Sequence, residues 1–205
     1  MAVRHPNLYL EDGNIIFLVE NTLYRVHRHF FVRQSPVFRD MLSVPSGSDK
    51  EEGLSDDAPI RLPVESLDFE RFLWLFYNET YEQEALAVEW TSIIELAVMW
   101  QFTVISEFAF RKFCELPQVP SIEALELRNR HNFSHLLARD VYMRRCQTRY
   151  SLHYAEGNMI GWESCVLISL GLTTYRDGSA GTFASFIEAF EKAKTELAHP
   201  IVPSA

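Results

Sequence analysis

"TLYRVHRHFFVRQSPVFRDML", residues 22–42, is the stretch on which the fold turns. It packs two histidines, four arginines and three phenylalanines together and then meets a Ser-Pro pair. Residues 22–26 are β-branched and aromatic, and so are residues 15–19 just before them. The polar pair Glu20-Asn21 between the two runs is a hairpin signal. From Arg28 the alternation stops, and Phe30, Phe31, Phe38, Met41 and Leu42 fit two short helices separated near Ser35-Pro36. Ser35 can cap the second helix, and Pro36 suits its first turn because the missing N–H costs nothing there.

The histidines of this stretch raise a metal question. A cation site needs three or four converging ligands, yet no cysteine or acid stands at ligand spacing from His27 and His29, and the adjacent arginines oppose a cation. The reading adopted is a core histidine, His27, beside an exposed one, with no metal and no cofactor. The chain also lacks a G-x-S-x-G elbow, a phosphate-cradling loop, an H-E-x-x-H pair and a G-x-G-x-x-G after a strand. No catalytic residue is assigned, and a non-enzymatic role is expected.

The chain has 205 residues, room for one ordinary domain and an extension. Its 47% hydrophobic and 13% aromatic content, with 15 phenylalanines, predicts a packed interior rather than disorder. A net charge of -9 argues against general attraction to phosphate backbones or anionic membranes. Three widely spaced cysteines form neither a disulfide framework nor a zinc pattern, so a reducing cytoplasmic or nuclear location, not secretion, is expected. The longest apolar run, "CVLISLGL", is too short to span a bilayer.

Further along, residues 43–59 carry turn formers and acids without an apolar period, which predicts an exposed mobile loop. "IRL" reads as a short strand. Phe69, Phe72, Leu73 and Phe76 then recur at helical spacing, with Asp68 and Glu70 suiting the positive end of the helix. Trp90, Ile93, Ile94, Ala97 and Trp100 line one further helix; Ile105, Phe108, Ala109 and Phe113 line the next. The prolines of "LPQVP", residues 116–120, mark an internal boundary. Beyond it "NFSHL" at 132–136 echoes "QFTVI" at 101–105, an offset of 31 residues. The last helical pattern, residues 183–197, carries an apolar stripe expected to dock on its own extension.

Residues 128–149 depart from the overall acidity, with six arginines against Asp140, a formal charge of +5 (6 − 1). Arginine on helices can grip phosphate, but it equally pairs with acids such as Glu51, Glu52, Asp56 and Asp57.

The order of these elements resembles the BTB/POZ fold. The residues that carry the resemblance are "DGNIIFLV", "LYRVHRHFFVRQSPVFRDML", "PIRLP" and "DFERFLWLFYN", across residues 8–116. Asp12, Tyr24, His27, Ser35 and Phe38 match the family's fold signature. The spelling "VENTLYRVHRHFF" is similar to BTB proteins of basidiomycete fungi that carry a helical C-terminal extension, here residues 117–198. The resemblance implies an α+β domain, a short three-stranded sheet with a cluster of helices, followed by an all-helical extension. It implies a protein-protein interaction module that homodimerises through residues 8–42, with Tyr9, Leu10, Phe30, Phe31 and Val37 as candidate contacts. A first alternative is a substrate adaptor for a cullin-type ubiquitin ligase, although "SVPSGSDKEE" lacks the hydrophobic-x-Glu triplet of strong cullin binders. A second is a transcription- or chromatin-associated factor using the arginine-rich segment.

Overall fold

A computed structural model describes residues 2–43, 52–78, 85–133, 139–147 and 151–176 of the chain. The fold is α+β. Two compact units follow one another, Met1–Phe113 and Cys114–Ala205, and the break falls in the last turn of a helix just ahead of the two prolines.

The first unit is built on a four-stranded mixed sheet of order β1-β3-β2-β4. β2 (Ile15–Val19) and β3 (Thr22–Val26) form the expected antiparallel hairpin, with Ile15 opposite Val26 and Val19 opposite Thr22. Glu20 takes a left-handed φ of 52° in the tight turn between them. All five residues of β2 are buried, as an uninterrupted apolar run in a central strand should be. β4 (Ile60–Leu62) pairs parallel with its outer side, Phe17 opposite Ile60.

The expected sheet had three strands; the fourth is β1 (Val3–Tyr9), parallel to β3, with a register shift between Arg4 and Tyr9. Pro6 is tolerated there because β1 is an edge strand. Little apolar surface holds this strand, and Val3 is 67% exposed. Polar side chains do the fastening. The Arg4 guanidinium donates to Asp56 at 2.6 and 2.9 Å, and His5 Nε2 lies 3.4 Å from Glu70 Oε1. The His5 ring also stacks on Tyr24, with centroids 5.0 Å apart.

Asp56 lies in the segment expected to be an exposed mobile connector, and its described part is docked instead. Gly53 is buried, with its carbonyl accepting from Ile16 N at 2.7 Å and its own N–H donating to Ala58 O at 2.6 Å. Its φ of 84° and the 2.8 Å a Cβ would leave to Ile60 Cδ1 make glycine the fitting residue.

Helices α1 (Arg28–Gln34) and α2 (Pro36–Met41) follow the hairpin, then α3 (Ser66–Tyr77), α4 (Ala87–Met99) and α5 (Thr103–Glu115). Their inward faces close a core of aromatic rings. Phe17, Phe31, Phe38, Phe69, Phe72, Trp100 and Phe102 stand at centroid separations of 4.9 to 6.1 Å, mostly edge to face. Tilted and edge-on pairs suit the ring quadrupole and add about 0.5–1.5 kcal/mol beyond area burial. On the other face of the sheet Ile16, Leu18 and Leu23 form a smaller cluster under Tyr9.

In the second unit α6 (Ser121–Arg130) and α7 (Arg139–Gln147) pack on α8 (Tyr154–Arg176). Ala124, Leu125, Val141, Tyr142, Ile160, Leu167 and Ile168 are its buried core. α8 is broken at Gly161, whose left-handed φ of 77° disfavours any side chain and where a Cβ would come within 2.9 Å of Asn129 Oδ1. The 31-residue echo has a backbone counterpart. Gln101 and Asn132 both turn left-handed, at φ 56° and 55°. Phe102 N then reaches back to Ala97 O at 2.7 Å, and Phe133 N to Arg128 O at 2.9 Å. Both helices thus end in the same six-to-one cap, and the buried phenylalanine that follows pins it. Residues 183–197, with their expected docked stripe, lie outside the described residues.

Candidate interaction surface and the signature residues beneath it

The five signature residues converge on the joint between the hairpin and the first helices. Tyr24 is fully buried and meets Phe69 edge-on at 5.0 Å, while its hydroxyl donates to Glu70 Oε1 at 3.0 Å. Burial, with the Glu70 carboxylate beside it, drives that phenol well above its ordinary range. Phe38 lies among Phe17, Phe31, Trp100 and Phe102. Ser35 has extended φ and ψ between α1 and α2; its Oγ accepts from Phe38 N at 3.0 Å and donates to the Trp100 carbonyl at 2.6 Å.

His27 sits at the amino end of α1, and a pair of residues far apart in sequence hold it. Its backbone N–H donates to the Tyr77 hydroxyl at 2.9 Å, and Nδ1 lies 3.0 Å from the same oxygen. Nε2 is 3.2 Å from Asp12 Oδ2. One tautomer satisfies this arrangement: Nε2–H donates to Asp12, and Nδ1 accepts the Tyr77 proton. The side chain is 31% exposed and Asp12 is 82% exposed, so the acid is a surface clasp on a half-buried ring. The hydrogen bond from His27 holds Asp12 below the usual carboxylate range, and burial pushes the Tyr77 phenol up. Among the described residues no three His, Cys, Asp or Glu side chains converge as a metal set.

The candidate contact residues separate into two places and lose one member. Tyr9 and Leu10 end β1: the Tyr9 hydroxyl donates to Asp56 Oδ1 at 2.6 Å, and the Arg4 guanidinium lies 4.5 Å over its ring. Leu10 is half-buried, its N–H on Arg25 O at 2.9 Å. Phe30, in α1, stacks on Phe76 with centroids 5.0 Å apart and planes 15° from parallel, and it is only half-buried. Val37, in α2, is half-buried too. Phe31 is corrected: it is 0% exposed and has no surface to give a partner. In the tight α1 turn the adjacent phenylalanines point to different sides, a distinction that composition alone does not reveal. Sequence reasoning also missed His5, Asp56 and Tyr77, whose partners Glu70, Tyr9 and His27 stand 65, 47 and 50 residues away.

The Tyr9 hydrogen bond and the Arg4 guanidinium hold the Asp56 carboxyl below its usual range. The sign follows from linkage. A depressed carboxylate contributes stability that is complete above its unfolded-state pKa and lost as pH falls through the folded one. The loosening of β1 is therefore expected below about pH 4, and Asp56→Asn should flatten that acid limb while costing stability at neutral pH. Chemical denaturation from pH 3 to 7 checks it; an unchanged acid limb in the variant would dismiss the clasp.

The arginine-rich segment is largely spent inside its own unit. Arg128 and Arg145 are buried; Arg128 approaches the Tyr142 hydroxyl at 3.4 Å, and Arg145 approaches Glu156 at 3.4 Å. Arg130 pairs with Glu126, and Arg144 donates to the carbonyls of Cys114 and Leu116. The side chains of Arg139 and Arg149 lie outside the described residues. Asp56, one of the acids that could have matched it, pairs with Arg4. No helix among the described residues is long and apolar enough to cross a membrane. No protein-family model matches the chain, and no curated protein matches it.

Proposed function

We propose that the chain is a BTB/POZ-type interaction module, built for assembly rather than chemistry, and that it homodimerises through the surface presented by β1, α1 and α2. The observation that carries this reading is the division of labour within residues 22–42. Tyr24, Phe31, Ser35 and Phe38 are buried at 0–1% exposure, while Phe30, Val37 and Met41 of the same segment keep apolar surface outside. A small unit that fixes its helices from within and leaves large apolar groups on their outer sides is suited to a symmetric partner, because the same patch serves both copies. The half-buried Leu10 and Tyr9 at the end of β1 extend the candidate contact set.

Of the alternatives, the nucleic-acid reading loses its support in the internal commitments of Arg128, Arg130, Arg144 and Arg145. Binding through phosphate contacts would weaken steeply with salt. The adaptor reading needs a cullin-facing surface, and "SVPSGSDKEE" lacks the hydrophobic-x-Glu triplet of strong cullin binders.

The test is light scattering on the untagged chain across a wide concentration range. The expected mass is twice the chain's 23.8 kDa. Val37→Arg, placing a charge on the outer side of α2, should return the single-chain mass with the unfolding transition retained. A strict monomer in the unaltered chain overturns the dimer.

A further inference from the structure

Beyond the break at Gly161, residues 162–176 of α8 run as one helical stretch that carries apolar groups on two opposite sides. The inner side is filled: Leu167 and Ile168 are 2% and 0% exposed, and the Ser164 hydroxyl lies 2.9 Å from the Tyr142 hydroxyl of α7. The outer side is not. Trp162 is 64% exposed, and Cys165, Val166 and Leu172 are half-buried at the spacing that puts them on its side of the helix. Ser169 is exposed in the middle of this stripe, and its hydroxyl is spent on the Cys165 carbonyl of its own helix at 2.8 Å. The stripe therefore brings no polar demand to whatever lies on it. A helix apolar on both sides is one that is packed on both.

We propose that the outer stripe is the docking site of this chain's own residues 183–197, which fold back on α8 as an antiparallel helix. Their sequence sets Phe183, Phe186, Ile187, Phe190 and Leu197 on one helical face. Six residues, "DGSAGT", separate Arg176 from Phe183. That length is usual between neighbouring antiparallel helices, and the two glycines suit a reversal of direction. Residues 162–176 and 183–197 are equally long, fifteen residues each, about 22 Å as helix, so the returning helix ends level with Trp162. A reversal centred on the linker sets Phe190 opposite Ser169 and Leu197 opposite Trp162. A large ring thus meets the smallest side chain of the stripe, and the exposed indole meets an aliphatic cover. The docking lies within the second unit and does not depend on whether the first unit dimerises.

The experiment is fluorine NMR of the full chain carrying fluorinated tryptophan, with a water-soluble paramagnet added to broaden any ring that water reaches. Of the four tryptophans, Trp74, Trp90 and Trp100 belong to the first unit and report its folding in every sample, and Trp162→Phe identifies the remaining resonance. The expected result is a Trp162 resonance shielded from the paramagnet and equally shielded on dilution. Phe190→Asp and Ser169→Glu, one on each side of the contact, should each lose that shielding, whereas Phe190→Leu and Ser169→Ala should keep it, with the other three resonances unmoved throughout. A Trp162 ring open to the paramagnet in the unaltered chain, or still shielded in Phe190→Asp, overturns the docking. Shielding that is lost on dilution also overturns it, because the cover is then a second copy of the chain.

Discussion

Phe31→Ala is expected to lower the unfolding free energy of the first unit by about 3–5 kcal/mol, the range for emptying a buried phenylalanine site. The side chain is 0% exposed and its ring lies 4.9 Å from both Phe17 and Phe38, 6.0 Å from Phe76 and 6.1 Å from Phe102. These neighbours belong to β2, α2, α3 and the α4–α5 turn, so the cavity would open where four parts of the unit meet. Rigid rings held from several sides relax poorly into such a space, which places the cost toward the upper end. A whole domain is stable by only about 5–15 kcal/mol, so much of the folded population is at stake. Urea unfolding at low protein concentration measures the loss without a contribution from association. A loss under about 1 kcal/mol, accompanied by weaker self-association, would restore Phe31 to the contact surface and remove it from the core. Phe30→Ala provides the contrast: its ring meets Phe76 and Tyr77 but is only half-buried, so water can reach the space left behind and the cost should be smaller.

What could be read from residues alone followed local chemistry. The hairpin was legible because two β-branched runs flank a polar pair, and the α1–α2 joint because Ser35-Pro36 offers a cap and a tolerated proline together. The echo at 101 and 132 was legible as letters; its cause, a left-handed turn closed by a buried phenylalanine, needed coordinates. β1 was not legible as a paired strand. "VRHPNLY" has no alternation and contains a proline, and its fastening comes from Asp56 and Glu70. Such contacts leave no periodic trace, since each links one polar residue to another far along the chain. The same reason hid the docking of the acidic segment: an aspartate whose partner is Arg4 looks, in sequence, like any solvated acid. His27 reads as a core histidine, yet its ring is half-buried, and Tyr77, which holds both its backbone and its ring, lies fifty positions away. The contact set was hardest to read, because burial distinguishes Phe30 from Phe31 and adjacent letters do not.

Ser35→Ala is expected to cost about 2–4 kcal/mol, unusually large for the loss of one oxygen. The hydroxyl serves two backbone groups at once. It accepts the Phe38 N–H at 3.0 Å, capping α2, and it donates to the Trp100 carbonyl at 2.6 Å, at the carboxyl end of α4. Loss of a serine cap alone costs about 0.5–2 kcal/mol. Here the residue is 0% exposed, so water cannot take over either contact without entering the core, and an unsatisfied buried group adds about 1–3 kcal/mol. The two costs overlap where the structure can shift, hence a total below their sum. Ser35→Thr keeps the hydroxyl but adds a methyl among Phe31, Phe38 and Trp100, while Ser35→Gly removes the oxygen and frees the backbone; the three variants separate hydrogen bonding from packing. If the hydroxyl carries the effect, alanine and glycine should both fall well below the native chain in chemical denaturation, and hydrogen exchange should quicken at Phe38 in particular. An alanine variant within about 0.5 kcal/mol of the native chain would mean that the α1–α2 joint is held by its rings alone, and that Ser35 marks the fold without supporting it.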